Sequence, residues 1–205
     1  MNNKENVKKK GSPGRPAGKT RESLLKATER LMLNEGYAAV STRRVAKEVG
    51  VTPALVHYYF KTTDKLLLEI LKRKNDLHEK GVEEALNSER PLRSLWNYYK
   101  DTARTGVSNE LVSMVNHHKV IRKELAKDIE KSRNIQAQRI EEILSSSNID
   151  KNLYNPLSIV MLISGLGRTI VSEKALGVSC GHTETINLIE NLIDSVEGSV
   201  DKSKN

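Results

Sequence analysis

The segment from Arg43 to Phe60, with the residues just before it, constrains the fold more than any other part of this chain. Ser41 and Thr52 are side chains that cap helix N-termini, Gly50 can take a positive φ, and Pro53 stands where a first helical position tolerates a missing N–H. The pattern predicts two short helices joined by a tight turn, the first carrying Val45, Ala46 and Val49, the second starting at Thr52. With Thr42 as the first position, Ala46 falls fifth and Gly50 ninth, while Val45, Val49, Val51 and Val56 take buried positions. Ala46 has to be small because the second helix crosses close to it, and the valines fill the wedge between the two. This is the spacing of a helix-turn-helix.

The rest of the chain is helical by the same criteria. Thr20 is a candidate N-cap for a first helix over about 20–35, with Leu24, Ala27 and Leu31 on one face and Gly36 as its stop. Thr63 is a candidate cap for a fourth helix through Leu66, Leu67, Ile70, Leu71 and Leu77 to Gly81. Beyond Pro91 the spacing persists in Leu92, Leu95, Trp96, Tyr99 and Ala103, then Leu111, Val115 and His118, then Leu125, Ile129, Ile140 and Leu144. Leu157 to Leu176 form an unusually apolar helix ended by Gly177, and Ile186, Ile189, Ile193 and Val196 mark a last one. No strand-type alternation is present. The expected fold is all-α, about nine helices, with a helix-turn-helix head over 20–80 and a helical body over 81–200.

The charge is lopsided. Residues 1–61 hold 13 Lys/Arg and 5 Asp/Glu, whereas 62–205 hold 21 of each, so the whole formal net charge of +8 belongs to the first third. A basic block on a neutral body suits a polyanion, because each neutralised phosphate releases counterions. Nucleic acid and an anionic membrane surface both fit, and so does a merely solvated tail. Residues 1–19, rich in Lys, Gly, Pro and Ser, have the composition of a disordered basic arm.

Several classes find no support. Five His and one Cys form no Cys-x-x-Cys or His-x-x-x-His pair, so neither a disulfide scaffold nor a zinc site is suggested, and no cofactor is implied. No Ser-His-Asp or Cys-His arrangement and no Gly-rich phosphate loop can be picked out, so an enzyme is not expected. The apolar run Leu157 to Leu166 falls short of the ~20 residues that span a bilayer, and the basic N-terminus has no apolar segment behind it. A cytoplasmic chain without a membrane partner is the expectation.

The run GYAAVSTRRVAKEVGVTPALVHYYFKTTDKLLLEIL resembles the DNA-binding domain of the TetR family of bacterial transcriptional regulators. The closing HYYF, followed by an acid and a Leu pair, is its most specific part. The resemblance implies a regulator, mostly a repressor, released from a palindromic operator by a small-molecule effector. The helix starting at Thr52 would enter the major groove N-terminus first, with Thr52, Pro53, Ala54, His57 and Tyr58 at bases or phosphates. Arg43 and Arg44 open the preceding helix toward the backbone, Arg44 being favoured for a phosphate. Lys61, Thr63 and Lys65 would meet phosphate at the start of the fourth helix. Two positions depart from the family: His57 stands where Tyr is usual and Thr63 where Lys is usual. His57 is read either as a pH-sensitive contact or as a passive one. Upstream, Gly14-Arg15-Pro16 resembles the core of an AT-hook, so Arg15, with Lys19, is read as a minor-groove contact or as a phosphate-attracting tail. A ligand-independent regulator and a non-specific nucleoid-associated protein are the alternatives.

In the body, Ser164, Gly165 and Gly167 lie inside the most apolar helix, where each Gly costs about 1 kcal/mol against Ala. Close approach of another helix would offset that. The resemblance implies a homodimer through the last two helices, with Ile189 and Ile193 beside these small residues. Packing within one chain is the alternative. Trp96, Tyr99, Met114, His118 and Met161 are candidates to line a pocket for an apolar or aromatic effector, each also readable as core or surface. Arg168 is a candidate for an anionic ligand group or for a salt bridge near the dimer interface.

Overall fold

A computed structural model describes residues 17–100, 114–115, 118–145 and 154–201. Among them are eight α-helices and no strand: α1 (Ala17–Glu35), α2 (Thr42–Val49), α3 (Pro53–Phe60), α4 (Thr63–Leu86), α5 (Pro91–Tyr99), α6 (Lys119–Ser145), α7 (Pro156–Ala175) and α8 (His182–Asp201), with a 3-10 turn at Tyr37–Ala39. The all-α expectation holds. Ala103 and Leu111 lie outside the described residues.

Three boundaries differ from those read in the sequence. Thr20 is buried within α1 rather than capping it. The cap of α4 is Thr62, whose Oγ1 accepts from the Lys65 N–H at 3.1 Å, so Thr63 is the first helical residue. Gly81 does not end α4. It is buried in the helix, and Val82, Ala85 and Leu86 continue the inward stripe to Leu86. At 24 residues α4 is about 36 Å long.

That length matters because α4 serves two cores. Leu66, Leu67, Ile70 and Leu71 pack with Leu24, Val45, Val56 and Phe60 in the head. Val82, Ala85 and Leu86 pack with Trp96, Ile140, Val160, Ile163 and Ile193 in the body. The head core also contains Met114 and Ile121, both fully buried, so the start of α6 is plugged into the head. Leu77, expected on the inner face of α4, is exposed.

The last helix is docked by polar contacts. The Glu197 carboxylate, nearly buried, accepts from Leu92 N–H at 2.7 Å and Arg93 N–H at 3.3 Å, which satisfies the free N-terminal N–H groups of α5. Glu190 pairs with Arg93 and Lys100, both at 2.7 Å, and their hydrogen bonds hold its carboxyl below the ordinary value. Helix α7 is, by length (20 residues) and mean hydropathy (1.2), long and apolar enough to cross a membrane, which the shorter apolar run in the sequence did not suggest. Its inner face, Val160, Ile163, Ile170 and Val171, is instead buried in the body. Leu157, Met161 and Leu162 on α7, with Leu188 and Leu192 on α8, remain exposed.

Candidate nucleic-acid interface

The head assembles from local signals. Ser41 Oγ accepts from the Arg44 N–H at 3.2 Å and starts α2, and Gly50, at φ 73°, ends it in the left-handed region. Val51 N–H then bonds Ala46 O at 2.9 Å, closing the turn. Val45, Ala46, Val56 and Phe60 are buried where α2, α3 and α4 meet. Burying Val56 and Phe60 turns the other side of α3 outward: Thr52, Pro53, Ala54, His57 and Tyr58 are all exposed, Tyr58 at 69%. The Thr52 side chain makes no capping bond, so its hydroxyl is uncommitted at the N-terminus of α3.

His57 is held at both ring nitrogens. Nδ1 donates to Lys61 O at 3.0 Å, and Nε2 lies 3.4 Å from Thr42 Oγ1, where it accepts the hydroxyl proton when the ring is neutral. The ring therefore ties α2 to the end of α3. Lys61 adopts φ 59° and ψ −49°, rare for a residue with a side chain, and Thr62 N–H bonds back to Phe60 O at 2.6 Å. The C-cap of α3, Lys61, and the N-cap of α4, Thr62, are adjacent residues, which leaves no longer route for the chain.

The cations divide by partner. Arg44 is paired with Glu35 at 2.7 Å, and Arg30 with Glu48 at 3.0 Å. The Glu35 hydrogen bond raises the Arg44 pKa further above its ordinary value. Lys19, Arg43, Lys61 and Lys65 are exposed and have no carboxylate within 4.0 Å among the described residues. Of the two arginines at the start of α2, Arg43 is thus the uncommitted one. Arg15 lies outside the described residues. The Glu35 and Thr42 partners were not foreseen, since neither pairing follows a sequence period.

The family model for bacterial regulatory proteins, tetR family, matches residues 24–70, which run from α1 to the middle of α4. Over these residues the chain is of the TetR type. A second model, vacuolar sorting protein 39 domain 1, matches residues 51–150, a range that starts between α2 and α3 and so divides two helices packed on each other. An uncharacterised helix-turn-helix transcriptional regulator of Haemophilus influenzae is 30% identical over 95 residues, 43% of this chain and 51% of that protein. The regulator PksA of Bacillus subtilis is 37% identical over 54 residues, 26% of each chain. The chain thus spans about half the length or less of these curated relatives. Among solved structures, a TetR transcription regulator from Haloarcula marismortui superposes with a TM-score of 0.63 at 20% identity, covering 91% of this chain and 96% of that one. A proposed transcriptional regulator from Saccharomonospora viridis, solved in complex with choline, gives 0.67 at 20% identity, covering 86% and 96%. At such identities the likeness shows the TetR fold, and it extends through the body.

Within this TetR fold the residues expected to form a pocket separate. Trp96 is fully buried and donates its Nε1–H to Glu190 at 3.3 Å. Met114 belongs to the head core, His118 faces Asp64 of α4 at 3.2 Å, and Met161 is exposed. Only Tyr99 and Arg168 line a cavity, of about 60 Å³, between α4, α5, α6 and α7. Apart from Ile129, its other lining residues are polar and include Asp128, Ser132 and Gln136, one helical turn apart on α6. That i, i+4, i+8 polar row was readable in the sequence, beside the apolar row that drew attention instead.

The expected dimer residues also divide. Gly167 is buried, and a Cβ there would stand 2.7 Å from Tyr99 Cβ, so its close approach is to α5 of the same chain. Ser164 faces the cavity, and Ile189 and Ile193 are buried in the body core. Gly165 alone of these meets open space on the outer side of α7. It lies beside Leu157, Met161 and Leu162 in a surface groove.

Proposed function

We propose that this chain is a cytoplasmic, homodimeric repressor that holds a palindromic operator through α3 and releases it when the body binds a small-molecule effector. The observation that carries the reading is the division of α3. Its inner residues Val56 and Phe60 are buried, while Thr52, Pro53, Ala54, His57 and Tyr58 stand free at and after its N-terminus. That end, with its unpaired N–H groups and positive dipole, enters the major groove. Thr52 bonds a phosphate or base, Pro53 and Ala54 meet thymine methyls, and His57 and Tyr58 reach base edges or phosphate. Lys19, Arg43, Lys61, Thr63 and Lys65 contact the backbone. Arg44 joins them if phosphate displaces Glu35, and Arg15 adds a minor-groove contact.

Dimerisation through the outer faces of α7 and α8 would cover Met161, Leu162, Leu188 and Leu192, with Gly165 allowing close approach. Two copies of α3 would then sit about 34–36 Å apart. The insertion of Met114 and Ile121 into the head core supports coupling, because movement of α6 in the body has to displace the head packing. The choline bound by the Saccharomonospora relative supports a small-molecule effector here. Electrophoretic mobility shift on the DNA flanking the chain's own gene tests the reading. Saturable binding lost in Tyr58→Ala supports it, and uniform binding to any duplex of equal length sinks it.

A further inference from the structure

We infer that the 60 Å³ cavity takes a small zwitterion, a molecule carrying a carboxylate and an ammonium a few bonds apart. This rests on the reading above that the body binds an effector, and it names the chemistry.

Size comes first. Pockets for drug-sized ligands run to about 300–1,000 Å³, and an apolar cavity of about 150 Å³ takes benzene. A volume of about 60 Å³ admits only a few heavy atoms. The aromatic effector expected from Trp96 and Met161 does not fit.

The floor of the cavity is already satisfied. Tyr99 donates its hydroxyl to Gln136 Oε1 at 3.1 Å, and Gln136 Nε2 donates to Ser132 Oγ at 2.9 Å. Ser132 Oγ lies 3.4 Å from His78 Nε2, and His78 Nδ1 lies 2.8 Å from Tyr98 Oη, whose own proton points to His78 O at 3.3 Å. Burial pushes the Tyr99 phenol up to about 12, so it stays protonated. Each side chain in this relay thus has a hydrogen-bond partner.

What is left over is charge at two ends and one hydroxyl. On the α7 side, Ser164 is 3% exposed, and its Oγ has no partner among the described residues although it lines the cavity. An unmet buried hydroxyl is unfavourable, because it has given up its hydrogen bonds to water without replacement. Arg168 spends only its Nε–H, on Ser164 O at 3.0 Å, and neither Arg168 nor Arg133 has a carboxylate within 4.0 Å among the described residues. Two guanidiniums and a hydroxyl donor match a carboxylate. Where α6 faces α4 stands Asp128, bonded by the Asn75 amide and without a cation within 4.0 Å among the described residues. Glu79, beside it, is already paired with Lys131 at 2.8 Å. Desolvation, then the Glu124 and Glu79 charges, pushes the Asp128 carboxyl above its ordinary value against the smaller opposing pull of Lys131 and Lys127. A ligand ammonium between Asp128 and the Tyr99 face supplies a cation.

Calorimetric titration of the chain tests this with matched probes: glycine as the zwitterion of fitting size, β-alanine and γ-aminobutyrate as longer zwitterions expected to bind progressively worse, propionate as the anion, ethylamine and choline as cations. At least one zwitterion is expected to bind tenfold or more tighter than propionate and both cations. Arg168→Gln should erase its advantage over the cations, and Asp128→Asn its advantage over the anion. Circular dichroism of each unliganded variant shows that the fold is kept. Equal binding of all classes, no binding of any zwitterion, or choline binding that survives Arg168→Gln with no zwitterion advantage overturns the assignment. Zwitterion binding that leaves operator affinity unchanged refutes the effector role and keeps the site. Operator release by some other molecule, with no zwitterion bound, refutes the site and keeps the regulator.

Discussion

Two glycines on α7, two residues apart, should respond to the same substitution with opposite sign. A Cβ added at Gly167 would lie 2.7 Å from Tyr99 Cβ and 3.0 Å and 3.1 Å from the Tyr99 carbonyl carbon and oxygen. Two of those atoms are backbone, so no side-chain rotation relieves the clash, and α7 must move away from α5. Overpacking of this kind costs about 1–3 kcal/mol. Removing a mid-helix glycine returns up to about 1 kcal/mol. Gly167→Ala is thus expected to lose a net ~1–2 kcal/mol, which for a chain of this length lowers Tm by roughly 2–8 °C. A Cβ at Gly165 meets nothing within 4 Å. Gly165→Ala keeps the helix gain alone, about 1 kcal/mol or 2–4 °C upward, at protomer concentrations where the dimer has dissociated, and loses it where the dimer forms and the Cβ meets the partner. The assay is urea and thermal unfolding of both variants at several protomer concentrations, since a dimer's stability depends on concentration. The Gly167 effect is internal to one chain and should not change along that series. Equal shifts of the same sign for the two variants would refute the packing given to α7.

Other perturbations probe the head, its link to the body, and the docking of α8. Ile121→Ala should cost about 2–5 kcal/mol by unfolding, since the side chain is fully buried in the head core. Leu71, also in that core, should behave alike, so its truncation would weaken operator binding and induction together. Glu35→Gln frees Arg44 and should steepen the slope of log affinity against log salt by about 0.9, whereas Arg43→Gln should flatten it by the same amount. At acid pH the α8 contacts should fail first. The Glu190 carboxyl is held below 4.5, so its contribution is present above that value and is lost as pH falls through the lower folded value. Glu190→Gln should reduce the pH dependence of stability below pH 4.5, as read by denaturation across that range.

The head was legible because its determinants are local. Ser41, Gly50 and Pro53 act within one turn of where they stand, and the structure uses each as the sequence implies. The slip from Thr63 to Thr62 arose because either hydroxyl could cap the same helix. The body was less legible because α7 is apolar almost all round, so spacing alone does not say which side meets the chain's own core. Ser164, Gly167, Ile189 and Ile193 face inward, whereas Gly165, Met161, Leu188 and Leu192 face out. Met114 reads as a pocket residue in the sequence because nothing there reports that the chain just before α6 packs into the head. The polar cavity depends on four helices meeting, and only its α6 row leaves a trace in the sequence.

Footprinting on the DNA flanking the chain's own gene, with the unaltered protein and Tyr58→Ala side by side, decides whether α3 reads an operator. One protected palindrome is expected, its half-sites about 34–36 Å apart centre to centre, with loss of that protection in the variant. Uniform coating of the duplex, or the same footprint from both proteins, would contradict it.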